Sequence, residues 1–209
     1  MSFNVDLHVH SRESGDNNSD PEETIRCAIE RELGGIAFTE HNLYHFSEPI
    51  EVLREEYGKR ILLLRGVEFS CLEGHCLVFG VDTDNLVPRH ATIDELIDKV
   101  NRAGGAVIPS HPYRGGTSVG DLVKSVKGIT AVEGFNGCNM HVFNAKAIAA
   151  AEAMKLPFTG GSDAHSPDEV GSCYTAFSER VTDDNFISLL KAGSYVGIDT
   201  RRVGRLWPF

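Results

Sequence analysis

Histidine and acidic side chains close several of the short apolar runs in this sequence. The first run ends with His8 and His10, and alternation along a strand would place both imidazoles on one face. A later run ends with Asp163 and His165, again two residues apart. An imidazole paired with a second imidazole or a carboxylate on one strand face is suited to bind a metal ion.

Further candidate ligands lie at the ends of other apolar runs. They include His41 and His111, Glu68 near the end of the third run, and His75 at the start of the fourth. In parallel β/α folds the carboxyl ends of the strands converge on the active site, so these side chains are expected to meet. The other histidines are expected to lie on the surface: His45, His90 and His141.

Together with Asp16, the sequence offers nine candidate ligands, which is too many for one tetrahedral ion and enough for two or three. They are His8, His10, Asp16, His41, Glu68, His75, His111, Asp163 and His165. Imidazole and carboxylate ligands without a thiolate favour zinc, manganese or iron. A centre of several ions lowers the pKa of bound water and stabilises both the attacking and the leaving oxygen, which indicates phosphoester hydrolysis.

The elements that must position these ligands alternate between strand and helix. Short apolar runs predict strands at 3–8, 35–39, 61–69, 76–81, 105–110, 129–135, 157–161 and 173–177. Amphipathic segments predict helices at 21–33, 48–58, 92–103, 119–126, 143–155 and 183–192. This order predicts one domain over 1–209 with a largely parallel sheet, as in a β/α barrel. The alternative fold is an open doubly wound sheet. It is disfavoured because the Gly-rich loop that usually follows its first strand is absent from this sequence.

Composition excludes several other classes of protein. The chain has 209 residues and a formal net charge of −10, which argues against extended nucleic acid as a partner. Its N-terminus has neither the basic nor the apolar region of a signal peptide, and no apolar run approaches the ~20 residues of a membrane span. We therefore expect a cytoplasmic protein. An odd set of 5 cysteines without C-x-x-C argues against a disulfide framework.

Five motifs, met in order across residues 6–171, resemble those of the PHP (polymerase and histidinol phosphatase) superfamily. They are Asp6-Leu7-His8-x-His10-Ser11, Thr39-Glu40-His41-Asn42, Gly66-x-Glu68, Ser110-His111-Pro112 and Gly161-Ser162-Asp163-Ala164-His165-Ser166. The resemblance implies a distorted (β/α)7 TIM-like barrel of the α/β class, with a trinuclear metal site at the C-terminal ends of the strands.

The resemblance also distributes the candidate ligands among three ions. By similarity, His8, His10, Glu68 and Asp163 would hold the first ion, Glu68, His75 and His111 the second, and Asp16, His41 and His165 the third. A hydroxide that bridges the first two ions would attack phosphorus. We therefore predict Glu68, His111 and Asp163 as the catalytic residues.

Two positions depart from the family pattern. The second motif usually reads Thr-Asp-His-Asn, and here Glu40 replaces the aspartate with a side chain one methylene longer. In the first motif Asp16 lies one residue later than usual, so Asn17 and Asp20 are alternatives to it as a ligand.

A phosphate substrate also needs cationic and polar partners beside the ions. Arg12 and Arg114 follow two of the motifs and can contact phosphate oxygens, and Asn136 closes a predicted strand. The C-terminal segment carries three arginines: Arg201, Arg202 and Arg205. A short charged terminus is usually solvated, and the alternative is that it closes over the site. Trp207 is expected to pack this segment down.

Three functions remain open at this point. The favoured one is a metal-dependent phosphoesterase that hydrolyses a small phosphomonoester or nucleotide. The second is a DNA exonuclease of the polymerase-associated type, against which the acidic charge and the lack of a basic aromatic stripe count. The third is a metal-binding regulatory module without catalysis, against which the intact ligand set counts.

Overall fold

The computed structural model describes residues 2–116 and 118–201 of the chain. Its strands are β1 (Phe3–Val9), β2 (Gly35–Phe38), β3 (Leu62–Ser70), β4 (His75–Phe79), β5 (Ala106–Pro109), β6 (Val132–Asn136), β7 (Phe158–Gly161), β8 (Cys173–Phe177) and β9 (Tyr195–Asp199). Its α-helices are α1 (Pro21–Glu30), α2 (Pro49–Tyr57), α3 (Ile93–Arg102), α4 (His141–Met154) and α5 (Phe186–Ala192). The predicted helix at 119–126 is instead a short 3-10 helix, Gly120–Lys124, which begins at a glycine with φ +58°.

Seven of these strands form one curled sheet in the order β5-β4-β3-β2-β1-β8-β9, and β6 pairs with β7 in a second sheet. The β6–β7 pair lies between the two edges of the large sheet, because β6 contacts β5 and β7 contacts β9. The result is an α/β fold with a half-barrel sheet. The number of seven strand–helix units stays a prediction.

The prediction of a largely parallel sheet is wrong. Only β1–β2, β2–β3 and β6–β7 are parallel among the described pairs, and the other four pairs are antiparallel. The connection 71–74 between β3 and β4 is too short for a parallel crossover, so these strands form a hairpin. The sequence did not predict β9. Its Gly197 lies so close to β7 that an added Cβ would be 2.6 Å from the carbonyl oxygen of Thr159.

Helices α1 and α3 begin where their capping residues, Asp20 and Thr92, predict, and the helices bury apolar faces on the sheet. Asp20 accepts hydrogen bonds from the backbone of Glu22 and Glu23 at the start of α1, and Pro21 follows it. Three buried apolar clusters form around α1 and α2, around α3 and α4, and around α5. They fix the strands whose ends carry the polar residues. Within the described ranges, no helix combines the length and the hydropathy that a bilayer crossing requires.

Candidate metal centre

Glu68 of β3 lies at the centre of a cluster of imidazoles and is almost fully buried. Its Oε1 lies 2.8 Å from His111 Nε2, 3.3 Å from His75 Nδ1 and 3.6 Å from His8 Nε2. Its Oε2 lies 3.1 Å from His41 Nδ1 and 3.5 Å from His10 Nε2. Burial acts to raise the pKa of Glu68, but His8 and hydrogen bonds from His111 and His41 hold that pKa well below its usual range. The carboxylate is therefore ionised.

Two aspartates complete the cluster on either side of Glu68. The Oδ1 atom of Asp163 lies 3.4 Å from His8 Nε2 and 3.3 Å from His10 Nε2. The Oδ2 atom of Asp16 lies 3.1 Å from His41 Nε2 and 3.0 Å from His165 Nε2. The structure therefore brings all nine predicted ligands together.

The described part of the chain contains three overlapping sets of candidate ligands. Within each set, the donor atoms all lie within 4.8 Å of one another. They are His8–His10–Glu68, Glu68–His75–His111 and His10–His41–His165. Glu68 belongs to the first two sets and His10 to the first and third. Sets that share ligands are typical of ions held a few ångströms apart rather than of separate mononuclear sites.

The outer nitrogens of three imidazoles are fixed by protein acceptors. His8 Nδ1 lies 2.8 Å from Glu133 Oε1, His10 Nδ1 lies 3.2 Å from Ser14 Oγ, and His165 Nδ1 lies 2.9 Å from the carbonyl oxygen of Asp163. These acceptors favour a proton on Nδ1, which leaves the Nε2 lone pair facing the cluster. This is the tautomer that a metal ligand needs.

The inner nitrogens of His8 and His10 lie only 3.0 Å apart. Burial lowers the pKa of His10 to about 4. Burial also acts to lower the pKa of His8, but Asp163, Glu133 and Glu68 raise it well above its usual value. The two Nε2 atoms therefore face the same point, beside the carboxylates of Glu68 and Asp163. This donor set fits divalent metal ions.

The side chain next to His41 and His165 is that of Asp16 rather than either alternative. Asp20 caps α1, and Asn17 donates to Asp16 Oδ1 while its own Oδ1 accepts from the backbone of Ser19. Gly15, with φ +79°, makes the left-handed turn that brings the late aspartate into place.

Glu40, the residue that departs from the family motif, orients a ligand indirectly. Its buried carboxylate accepts hydrogen bonds from the backbone and hydroxyl of Ser11 and from the hydroxyl of Ser14. Ser14 in turn accepts from His10. The longer side chain therefore acts on His10 through a serine hydroxyl.

Sequence reasoning missed Glu133, which lies in β6 and is almost fully buried. Besides orienting His8, it accepts hydrogen bonds from the backbone of His111, at 2.7 Å, and from Asn136 Nδ2, at 2.9 Å. The available signal was a single carboxylate within an otherwise apolar strand.

Replacing Glu133 with Gln is expected to lower metal affinity about 10–100-fold, as for other groups that orient a ligand imidazole. The amide offers one acceptor oxygen and no charge to His8 and the His111 backbone. Competition with a chelator measures the affinity, and Glu152→Gln on the exposed face of α4 is the matched control. Unchanged affinity in Glu133→Gln would contradict the role.

Of the predicted substrate-binding residues, the structure brings two to the centre. Arg114 donates from Nη2 to Asp163 and to Asn136 Oδ1, at 2.7 Å from the latter, and from Nε to Asn139 Oδ1 at 2.8 Å. Asn136 also donates to Asp163 Oδ2 at 3.1 Å. Arg12 does not join this network, because its guanidinium pairs with Asp20 and Glu13 at the surface. A substrate-binding role of Arg12 stays a prediction.

Of the basic C-terminal segment, Arg201 contacts the loop that follows β6, beside the centre. Its guanidinium pairs with Asp199 and donates to the carbonyl oxygens of Gly137 and Asn139, each at 2.6 Å. Arg201 thereby supports the loop that holds Arg114. Arg202, Arg205 and Trp207 lie outside the described residues.

Comparison with known proteins agrees with this site. The PHP domain family model matches residues 6–111, and a PHP-associated model matches residues 141–195. The uncharacterised protein MJ0417 of Methanocaldococcus jannaschii is 27% identical over 202 residues, which cover 90% of this chain and 78% of that protein. Protein MJ1587 of the same organism, also uncharacterised, is 26% identical over 119 residues, which cover 52% of this chain and 67% of that protein.

Three solved structures share the fold at low sequence identity. PsfC from Pseudomonas syringae has a TM-score of 0.73 and 22% identity, with 95% of this chain and 92% of that chain covered. A candidate metal-dependent phosphoesterase from Bifidobacterium adolescentis has a TM-score of 0.68 and 18% identity, with 90% and 96% covered. An amidohydrolase from Chromobacterium violaceum, solved with bound sulfate and no metal, has a TM-score of 0.64 and 18% identity, with 92% of this chain and 97% of that chain covered. The chain belongs to the PHP domain family.

Proposed function

We propose that this protein is a metal-dependent phosphoesterase that hydrolyses a small phosphorylated substrate such as a phosphomonoester or a nucleotide. The observation that carries the proposal is the position of Glu68, whose two oxygens face five imidazole nitrogens at 2.8–3.6 Å. A carboxylate shared in this way suits a centre of two or three ions. Zinc, manganese and iron are the candidate ions, because imidazole and carboxylate donors suit all three.

Divalent ions bound here would activate water as the nucleophile and neutralise the phosphate charge. The chain's own residues would do the rest. His8, His10, Glu68 and Asp163 would hold the first ion, Glu68, His75 and His111 the second, and Asp16, His41 and His165 the third. Bound cations would offset the acidic net charge at this place, so a small anion is a more suitable partner than extended nucleic acid.

Arg114 is the group that we expect to bind the phosphate. Its Nε and Nη2 are held by Asn139, Asn136 and Asp163, so the guanidinium is oriented before substrate arrives. Arginine can contact two oxygens of a phosphate at once, which gives it the geometry for this role.

Arg114→Gln is expected to raise KM for a phosphomonoester about tenfold or more, since one charge-assisted contact contributes roughly 1.5–3 kcal/mol. Metal content is expected to stay close to the wild-type value. Steady-state kinetics on a metal-loaded enzyme measures the effect, with Arg102→Gln, an exposed arginine at the end of α3, as the matched control. An equal KM in Arg114→Gln and the wild type would remove Arg114 from the substrate site.

The proposal as a whole is tested with the purified protein loaded with manganese, zinc or iron. Hydrolysis is assayed on phosphomonoesters, phosphodiesters, nucleotides and a single-stranded oligonucleotide. We expect metal-dependent turnover of one or more small esters, abolished by a chelator and restored by the ion. Turnover of the oligonucleotide alone would favour the exonuclease, and full metal loading without turnover of any ester would favour the regulatory module.

A further inference from the structure

A cavity of about 430 Å³ opens directly beside the candidate metal centre. Its inner wall is formed by His41, a candidate ligand, and by Ser14, which holds His10. The remaining lining residues are Asn42, Leu43, Phe46, Phe69, Ser70, Arg89 and His90. We call this cavity the Phe46–Phe69 pocket. Its volume lies within the roughly 300–1,000 Å³ that small-molecule sites occupy.

The apolar wall of the pocket is fixed by the surrounding fold. Phe69 is 4% exposed and belongs to the buried cluster around α3 and α4. Phe46 lies on the 3-10 helix Tyr44–Ser47, whose first two backbone amides, those of Tyr44 and His45, donate to Asp84 at 2.6 and 3.1 Å. Asn42 connects this turn to the end of β3, because its Oδ1 accepts from the backbone of Ser70 at 3.1 Å. The turn that carries Phe46 and the end of β3 that carries Phe69 are therefore fixed to each other before any ligand binds.

The rim of the pocket carries a cation. Arg89 and His90 lie on the connection between β4 and α3, which Leu72 holds through a 3.0 Å hydrogen bond to the carbonyl oxygen of Ala91. Within residues 2–116 and 118–201, no carboxylate lies within ion-pair distance of Arg89. An exposed, unpaired guanidinium at the mouth of an apolar cavity is suited to bind a carboxylate or a phosphate.

We infer that the Phe46–Phe69 pocket binds the organic group of the substrate, and that this group carries an apolar ring with an anionic substituent directed at Arg89. The inference rests on the proposed function. A phosphoester whose phosphate lies among the metal ligands must direct its organic group away from them, and this cavity begins at His41. The phenyl walls favour a ring over a short polar chain, because aromatic packing adds to the burial of apolar surface.

The test compares three esters on the metal-loaded full chain: methyl phosphate, phenyl phosphate and 4-carboxyphenyl phosphate. In Phe46→Ala we expect the ratio of kcat/KM for phenyl phosphate over methyl phosphate to fall about tenfold from its wild-type value. In Phe46→Leu the ratio should fall less. In Arg89→Gln the ratio for 4-carboxyphenyl over phenyl phosphate should fall about fivefold. Intrinsic ester reactivities cancel, because the same substrates are compared in each protein.

The matched control is Arg60→Gln, an exposed arginine just before the first residue of β3, whereas Phe69 lies at the other end of that strand. This variant should keep both ratios at their wild-type values. A second readout is calorimetric binding of phenylphosphonate and methylphosphonate, neither of which can be hydrolysed as an ester. Ratios that are unchanged in Phe46→Ala and Arg89→Gln, with esters still hydrolysed, overturn the pocket inference and leave the proposed function standing. If no ester is hydrolysed, the proposed function fails. Phenylphosphonate binding then decides the pocket: weaker binding in Phe46→Ala supports it, and equal or absent binding overturns it.

Discussion

Replacing Glu68 with Gln is expected to lower kcat/KM by about 10³-fold or more and to reduce the number of divalent ions bound per chain. The carboxylate belongs to two of the three donor sets, so its loss affects two ions at once. Glutamine has nearly the same shape but offers a single neutral oxygen. Its amide NH2 group would direct N–H bonds, instead of a second acceptor oxygen, at the imidazole nitrogens. A loss of several kcal/mol of charge stabilisation corresponds to rate changes of this size.

Elemental analysis and hydrolysis of a small phosphomonoester measure the two effects of Glu68→Gln together. Glu179→Gln is the matched control, because Glu179 is exposed and has the same chemistry. Retention of the full metal content with Glu68→Gln would show that the carboxylate is not a shared ligand.

Asp163→Asn is expected to lower activity about 10²–10³-fold while the fold is retained. Asp163 has φ +56°, a left-handed conformation that asparagine tolerates as well as aspartate, so the backbone is not strained by the change. The charge is what the substitution removes. Burial opposes ionisation of Asp163, but the neighbouring His8 and His10 hold its pKa well below the usual range, so the native residue is a carboxylate.

The variant also loses the ion pair between Asp163 and Arg114, so KM should rise along with the fall in kcat. Steady-state kinetics at saturating metal separates the two parameters, and thermal unfolding checks the fold. Asp98→Asn, on the exposed side of α3, is the control. Wild-type kcat at full metal loading in Asp163→Asn would contradict its assignment as a ligand.

The positions of the candidate ligands could be predicted from local features of the sequence. His8 and His10 lie two apart at the end of an apolar run, and period-2 alternation is sufficient to place both on one face. Capping residues such as Asp20 likewise marked where α1 begins. These features depend only on residues near in sequence, and the structure shows them as expected.

Features that depend on contacts between distant segments could not be predicted in this way. Glu133 reaches His8 across 125 positions in the sequence, because β6 is brought to the open side of the curled sheet. Strand direction is also not encoded in apolar periodicity, so the antiparallel pairing of β8 with β1 and β9 was missed. The role of Ser14 in orienting His10 depends on its hydroxyl lying between His10 and Glu40, and Glu40 comes from a segment 26 positions later in the sequence.

The claim of a shared, polynuclear centre around Glu68 is tested most directly by anomalous diffraction from crystals equilibrated with manganese or zinc. We expect two or three anomalous peaks per chain, each beside one of three sets: His8–His10–Glu68, Glu68–His75–His111 and His10–His41–His165. A single peak, or peaks that have no contact with Glu68, would contradict it.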